Sequence, residues 1–267
     1  MKISICGAID STWKDMLCDE GHTVHSIWMQ RSPYLSSEVL SLAEHHGAAL
    51  YFRRVNRTDM LEMLNDGVRL LISIGYPFLI PSDTPLWGVN IHPSLLPDGR
   101  GPYPIPLIIQ SHGECAGFTI HKLSPLFDQG DVIYRERFAI SEHDTCDTLL
   151  FRMYMHSSNA MRNIIPNIEC YWAAATAQVG RPAWEARRFD QPFFNPNLLL
   201  EDCIGMCRRY GEDSTILKVS DLTATVSSIQ GWKEAHSRKP GTVISKDEYR
   251  IVIAVMDGFV IIRYKLI

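Results

Sequence analysis

The chain has 267 residues, of which 46% are hydrophobic and 21% charged, a balance that excludes disordered, collagen-like and repeat architectures and allows a large core. Its net charge of −4 supplies no broad pull toward nucleic acid or an anionic membrane surface, although a local basic groove stays open. No run of about 18 apolar residues occurs, and MKISICGAID has no signal-peptide layout, so the expected compartment is the cytoplasm, with no membrane partner.

The first half alternates β-rich and helical runs. Strands are expected at Lys2–Cys6, His25–Met29, Ala49–Phe52 and Leu70–Ile74, and helices at Ser11–Glu20, Ser36–His46 and Thr58–Asn65. This alternation predicts an α/β fold with a Rossmann-like, mostly parallel sheet covered on both faces. Cys6-Gly7-Ala8 follows the first strand without a GxGxxG pattern, so no dinucleotide site is expected. A strand at Gly88–His92 runs into SLLPDGRGPYPIP, whose four Pro and two Gly dictate a stiff, irregular loop. Next come a helix at Ile105–Ser111, strands at Ala116–Leu123 and Val132–Ile140, and an amphipathic helix at Thr145–Ile165.

Gly180–Pro196 mixes Pro, Gly, Arg and aromatic residues without periodicity. We read 1–180 as the catalytic domain, 181–196 as a linker and 197–267 as a small β-rich domain, OB-like or a half-barrel. That last part has a helix at Leu198–Arg209 and strands at Thr215–Val219, Ala224–Ser228, Gly241–Ser245, Arg250–Val255 and Phe259–Tyr264. From Asn195 onward ten Lys/Arg face nine Asp/Glu, which argues against a nucleic-acid partner. An exposed sheet edge there is a candidate homodimer contact. Seven scattered cysteines without CxxC spacing give neither a disulfide frame nor a zinc site, so no metal is expected.

The chemistry-bearing segment begins at Val89-Asn90-Ile91-His92-Pro93. Residues i and i+2 of a strand share a face, so Asn90 and His92 present an amide beside an imidazole. An amide stabilises an oxyanion and an imidazole moves a proton, but NxH also arises by chance and a lone histidine is more often structural. Asp128, in Leu126-Phe127-Asp128-Gln129-Gly130-Asp131, either orients the imidazole or serves an Asx-turn. His121 and Thr119 lie on the preceding strand, where a supporting role and a core role are both open.

NIHPSLLPDGRGPYPIP, followed shortly by GFTIHKLSPLFDQGDVI, closely resembles the folate-dependent formyltransferase family, whose members share NIHPSLLP, RG, TxH and DxGD in this order. More weakly, KISICGAID resembles the family's first strand and turn, and KPGTVISKDEYRIVIAVMDGFVIIRY the small β-domain that ends the methionyl-tRNA formyltransferase type. The resemblance implies that Asn90, His92 and Asp128 are catalytic and that 10-formyltetrahydrofolate is the co-substrate. It implies donor binding along Ile74, Gly75, Tyr76, Pro77, Phe78, Leu79 and Ile80, and at Leu123, Phe127 and Asp131, with Phe78 and Leu79 packing the pterin face. The bland alternative is that Tyr76–Leu79 plugs the core.

Arg100 matches the family's RG, and either meets an acceptor anion or clamps its own loop. Tyr103 is a candidate to stack on an acceptor ring. The implied activity is N-formyl transfer to a small-molecule amine acceptor, for which we favour a nucleotide-linked amino sugar. Hydroxyornithine-type amines and methionyl-tRNA are the alternative acceptors. A catalytically silent folate- or nucleotide-binding protein is the non-enzyme alternative.

Overall fold

The computed structural model describes residues 1–30, 37–186 and 192–267. Ser36, the expected start of the second helix, and positions 187–191 of the expected linker lie outside them. The chain divides into two compact units, Met1–Pro104 with Glu114–Ala139 and Leu150–Arg187, and Ile105–Gly113 with Ile140–Leu149 and Arg188–Ile267.

The first unit is built on β1 (Lys2–Gly7), α1 (Ser11–Asp19), β2 (Thr23–Trp28), α2 (Ser37–His46), β3 (Ala49–Tyr51), α3 (Arg57–Asn65), β4 (Leu70–Ile74) and β5 (Trp87–His92). After α4 (Pro104–Ser111), which past Pro104 belongs to the second unit, come β6 (Gly117–Lys122), β7 (Val132–Arg137), α5 (Cys146–Ile164), whose first four residues also belong to the second unit, and α6 (Ile168–Ala174). The seven strands lie in the order β3-β2-β1-β4-β5-β6-β7. β1 to β5 pair in parallel, whereas β6 and β7 run antiparallel at one edge. The central strands are covered on both faces: β4, LLISI, is buried at every position.

Helix ends are set by local chemistry. The Asp10 carboxylate accepts the Trp13 N–H and caps α1. Asn56 and Asp59 form a reciprocal capping box on α3, and the Arg53 guanidinium grips the Asp59 carboxylate through bonds of 2.7 and 2.6 Å. α6 was not legible in the sequence because only Ile168 of its residues is buried, which leaves no apolar stripe to read.

The second unit carries α7 (Leu200–Tyr210) and a five-stranded antiparallel sheet of β8 (Thr215–Val219), β9 (Leu222–Lys233), β10 (Val243–Lys246), β11 (Arg250–Ala254) and β12 (Gly258–Leu266). The sheet order is β10-β11-β12-β9-β8. α7 seats Leu200, Cys203 and Met206 on a core that includes Val226, Ile253, Val260 and Ile262. β9 runs further than the expected Ala224–Ser228, because Gln230–Lys233 pairs through its main chain with Gly258–Ile261 while its side chains stay in water.

Phe118 of β6 is fully buried and packs against the rings of Tyr134 and Phe138, each at 5.9 Å. Phe118→Ala is expected to cost about 3–5 kcal/mol, read as a lower denaturant midpoint.

Candidate active site

Strand register assembles the site. Asn90 stands opposite His121 and His92 opposite Thr119 across the β5–β6 ladder, so all four side chains share one face of the sheet. The loop between β6 and β7 returns Asp128 to that face with a left-handed backbone, φ 57°. His92, Thr119, His121 and Asp128 are buried, and Asn90 is half-buried.

The hydrogen bonds assign the protons. His92 Nε2 donates to the Gly99 carbonyl at 2.8 Å, which turns Nδ1 toward Asp128 Oδ1 at 3.4 Å. His121 Nδ1 donates to the Lys122 carbonyl at 2.8 Å, so the neutral ring's Nε2 accepts from Asn90 Nδ2 at 3.1 Å and lies 3.7 Å from Asp128 Oδ1. An amide nitrogen carries two N–H groups; His121 engages one, and the second is available to a ligand oxygen. The Gly101 N–H donates to Asp128 Oδ2 at 2.9 Å.

Burial works to raise the Asp128 carboxyl, but the neighbouring His92 and His121 rings and the Gly101 N–H outweigh it and hold the group at about 2. Burial also pushes the His92 imidazole below its ordinary range, against the opposing pull of the Asp128 carboxylate and the Gly99 carbonyl. At neutral pH the pair is therefore a carboxylate facing an uncharged imidazole.

The proline-rich loop is tied down at several points. Thr119 Oγ1 donates to the Ser94 carbonyl at 2.7 Å and accepts the Leu96 N–H at 3.0 Å, so Thr119 supports the site through this loop. Gly101 has φ 102°, and a Cβ there would fall 2.2 Å from the Ala186 carbonyl oxygen. Arg100 directs Nε and Nη2 at Gln178 Oε1, at 3.1 and 2.6 Å, and so clamps its own loop. Gln178 in turn donates through Nε2 to the carbonyls of Asp128 and Gly130, at 2.9 and 2.8 Å. Gln178 is the positioning residue that sequence reasoning missed, since it sits in an aperiodic stretch distant in the chain from both partners.

The expected donor-binding residues separate into two groups. Ile74, Tyr76 and Ile80 are buried; Tyr76 and Ile80 belong to a core cluster with Cys6, Trp28 and Leu71, and Phe78 and Leu123 pack partly against it. The Tyr76 hydroxyl accepts the Val55 N–H at 3.0 Å, and Arg54 lies over the Phe78 ring at 4.3 Å. The core alternative thus describes the side chains of Tyr76 and Ile80. Gly75, Pro77, Leu79 and Phe127 are exposed, as is Leu126 beside Phe127. The Asp131 carboxylate pairs with Lys122 at 3.2 Å. Tyr103 is exposed and adopts φ 59°, a strained backbone for an aromatic residue.

An amide, two imidazoles and a buried carboxylate gathered at one sheet face are groups that can move a proton and stabilise an oxyanion. The formyl transferase domain pattern matches residues 61–165. Methionyl-tRNA formyltransferase of Ehrlichia ruminantium is 30% identical over 137 residues, which are 48% of this chain and 45% of that protein, so the matched stretch spans under half the relative's length. The corresponding protein of Idiomarina loihiensis is 24% identical over 97% of this chain and 89% of its own. Among solved structures, the N-formyltransferase from Helicobacter canadensis, in complex with folinic acid and dTDP-3-aminofucose, superposes with a TM-score of 0.66 at 15% identity, covering 99% of this chain and 100% of that one. Over residues 61–165 the chain thus carries a formyl transferase domain.

Because the Asp128 carboxyl lies below its unfolded value of about 3.9, its ionised form stabilises the fold fully above that pH. The contribution is lost as pH falls toward about 2, and Asp128→Asn should flatten wild-type acid unfolding in that window. The same substitution removes the carboxylate that raises His92, so the His92 imidazole titration, followed by NMR, should move further down.

Proposed function

We propose that the protein is an N-formyltransferase that moves a formyl group from 10-formyltetrahydrofolate to the primary amine of a nucleotide-linked amino sugar. The observation that carries this reading is the convergence of Asn90, His92, His121 and Asp128 on one face of β5 and β6. The formyl donor supplies an electrophilic carbon whose oxygen gathers negative charge as an amine adds to it. Asn90, held by His121, points its second N–H at that oxygen. The proton lost by the attacking amine needs an acceptor, and neutral His92 offers its Nδ1 lone pair. Asp128, 3.4 Å away, stabilises the imidazolium that results. Collapse of the adduct breaks the bond between the formyl carbon and the donor nitrogen, and the imidazolium returns its proton to that nitrogen, so that tetrahydrofolate leaves and His92 is neutral again.

The chain's own surface fits a donor of this kind. Leu79, Leu126 and Phe127 are large apolar side chains exposed on the loops that follow β4 and β6, where a flat heterocycle can cover them. For the acceptor, the near-neutral charge from Asn195 onward favours a small molecule over a polyanion, which needs a surplus of Lys and Arg. The relative bound to dTDP-3-aminofucose matches this chain over essentially the full length of both. Tyr103, exposed next to Pro102 and Pro104, is the ring we assign to acceptor stacking.

Purified protein with 10-formyltetrahydrofolate and a pool of nucleotide amino sugars, hydroxyornithine and methionyl-tRNA should yield a sugar heavier by about 28 Da, the mass of CO, by mass spectrometry. A shifted hydroxyornithine or methionyl-tRNA would reassign the acceptor; absence of any product together with absent folate binding would refute the reading. His92→Ala and Asp128→Ala should each lower the rate roughly 10²–10⁴-fold while retaining donor binding. Since neutral His92 accepts the proton and burial lowers its affinity for one, the rate should fall only below the ordinary histidine range of about 6.5 as pH decreases.

A further inference from the structure

Away from the Asn90–Asp128 cluster, the last turns of two helices bring together three side chains that share a preference for borderline-soft metal ions. Cys18 lies in the last turn of α1, and His45 and His46 close α2. Their ligating atoms all lie within 4.8 Å of one another, and Cys18 Sγ stands 3.8 Å from His46 Nε2. A tetrahedral zinc ion, with Zn–S about 2.3 Å and Zn–N about 2.0–2.1 Å, holds its sulfur and nitrogen ligands about 3.6 Å apart. The Cys18–His46 pair already spans such an edge. His45 is exposed, so its side chain can turn its ring to the third vertex without disturbing the core.

Adjacent helical residues ordinarily diverge, but α2 ends at His46 and Gly47 turns left-handed at φ 62°, which leaves the two rings edge-to-face at 4.7 Å. Both helices also direct their carbonyl ends, and hence partial negative charge, toward the group. The charged neighbours of Cys18 are Lys14 against Asp15 and Asp19, so acidic side chains predominate around the thiol. With no carboxylate in the triad itself, the donor set does not suit calcium or magnesium.

We propose that Cys18, His45 and His46 form a Zn²⁺ site with water in the fourth position, a link between α1 and α2 that is independent of formyl transfer. The test uses the whole chain freed of metal, with Zn²⁺ titrated calorimetrically and Co²⁺ as a spectroscopic probe. We expect one Zn²⁺ per chain, a rise in thermal midpoint on its addition, and a thiolate-to-Co²⁺ charge-transfer band. Cys18→Ser should abolish that band. His45→Gln, at an exposed position that cannot unfold the protein, should weaken Zn²⁺ binding at least tenfold, and Cys18→Ser should leave formyl transfer unchanged. The proposal is overturned if Co²⁺ binds without the thiolate band, if His45→Gln binds Zn²⁺ like the wild type, or if the wild type takes up no Zn²⁺.

Discussion

A buried carboxylate needs partners, and much of the site follows from how Asp128 acquires them. Removing an ionised group from water is costly unless donors replace the lost hydration. Here the surroundings come from separate parts of the chain: the Gly101 N–H donates from the proline-rich loop, while the rings of His92 on β5 and His121 on β6 stand 3.4 and 3.7 Å away, where either ring, once protonated, would pair with the carboxylate. Satisfying one charge therefore fixes the loop, the two strands and the β6–β7 connection against one another. The left-handed backbone at Asp128 is held in place by the same contacts, and Gln178 secures it from behind through two main-chain carbonyls.

This arrangement separates the two jobs of the histidines. His121 spends both ring nitrogens on fixed partners, the Lys122 carbonyl and the Asn90 amide, and so acts as a spacer that orients Asn90. His92 spends only Nε2, and its remaining lone pair faces a carboxylate. A proton arriving there gains an ion pair. Two imidazoles on one sheet face thus take different parts because of their second partners.

What the sequence made legible was whatever obeys a short period. Asn90 and His92 share a face because strand side chains alternate, and the buried run of β4 and the strand–helix alternation mark the parallel sheet. What escaped has no period. Gln178 contacts Arg100 and Asp128 across long stretches of chain from a segment without helical or strand pattern. The far half of β9 is exposed and pairs through its main chain with β12, and α6 buries a single residue. Tyr76 shows a third limit: an aromatic residue in a loop reads as a ligand platform or as core, and only the structure shows that its side chain is buried with its hydroxyl on the Val55 N–H.

The bond from His92 Nε2 to the Gly99 carbonyl joins a titrating ring to the backbone of a loop. That carbonyl favours the imidazolium, so a shift of the loop that lengthens the bond makes the ring a weaker base, and one that shortens it makes the ring a stronger one. Linkage makes the relation reciprocal: protonation of His92 tightens the loop by the same free energy. Position of the Ser94–Tyr103 segment and basicity of the imidazole are thereby one variable.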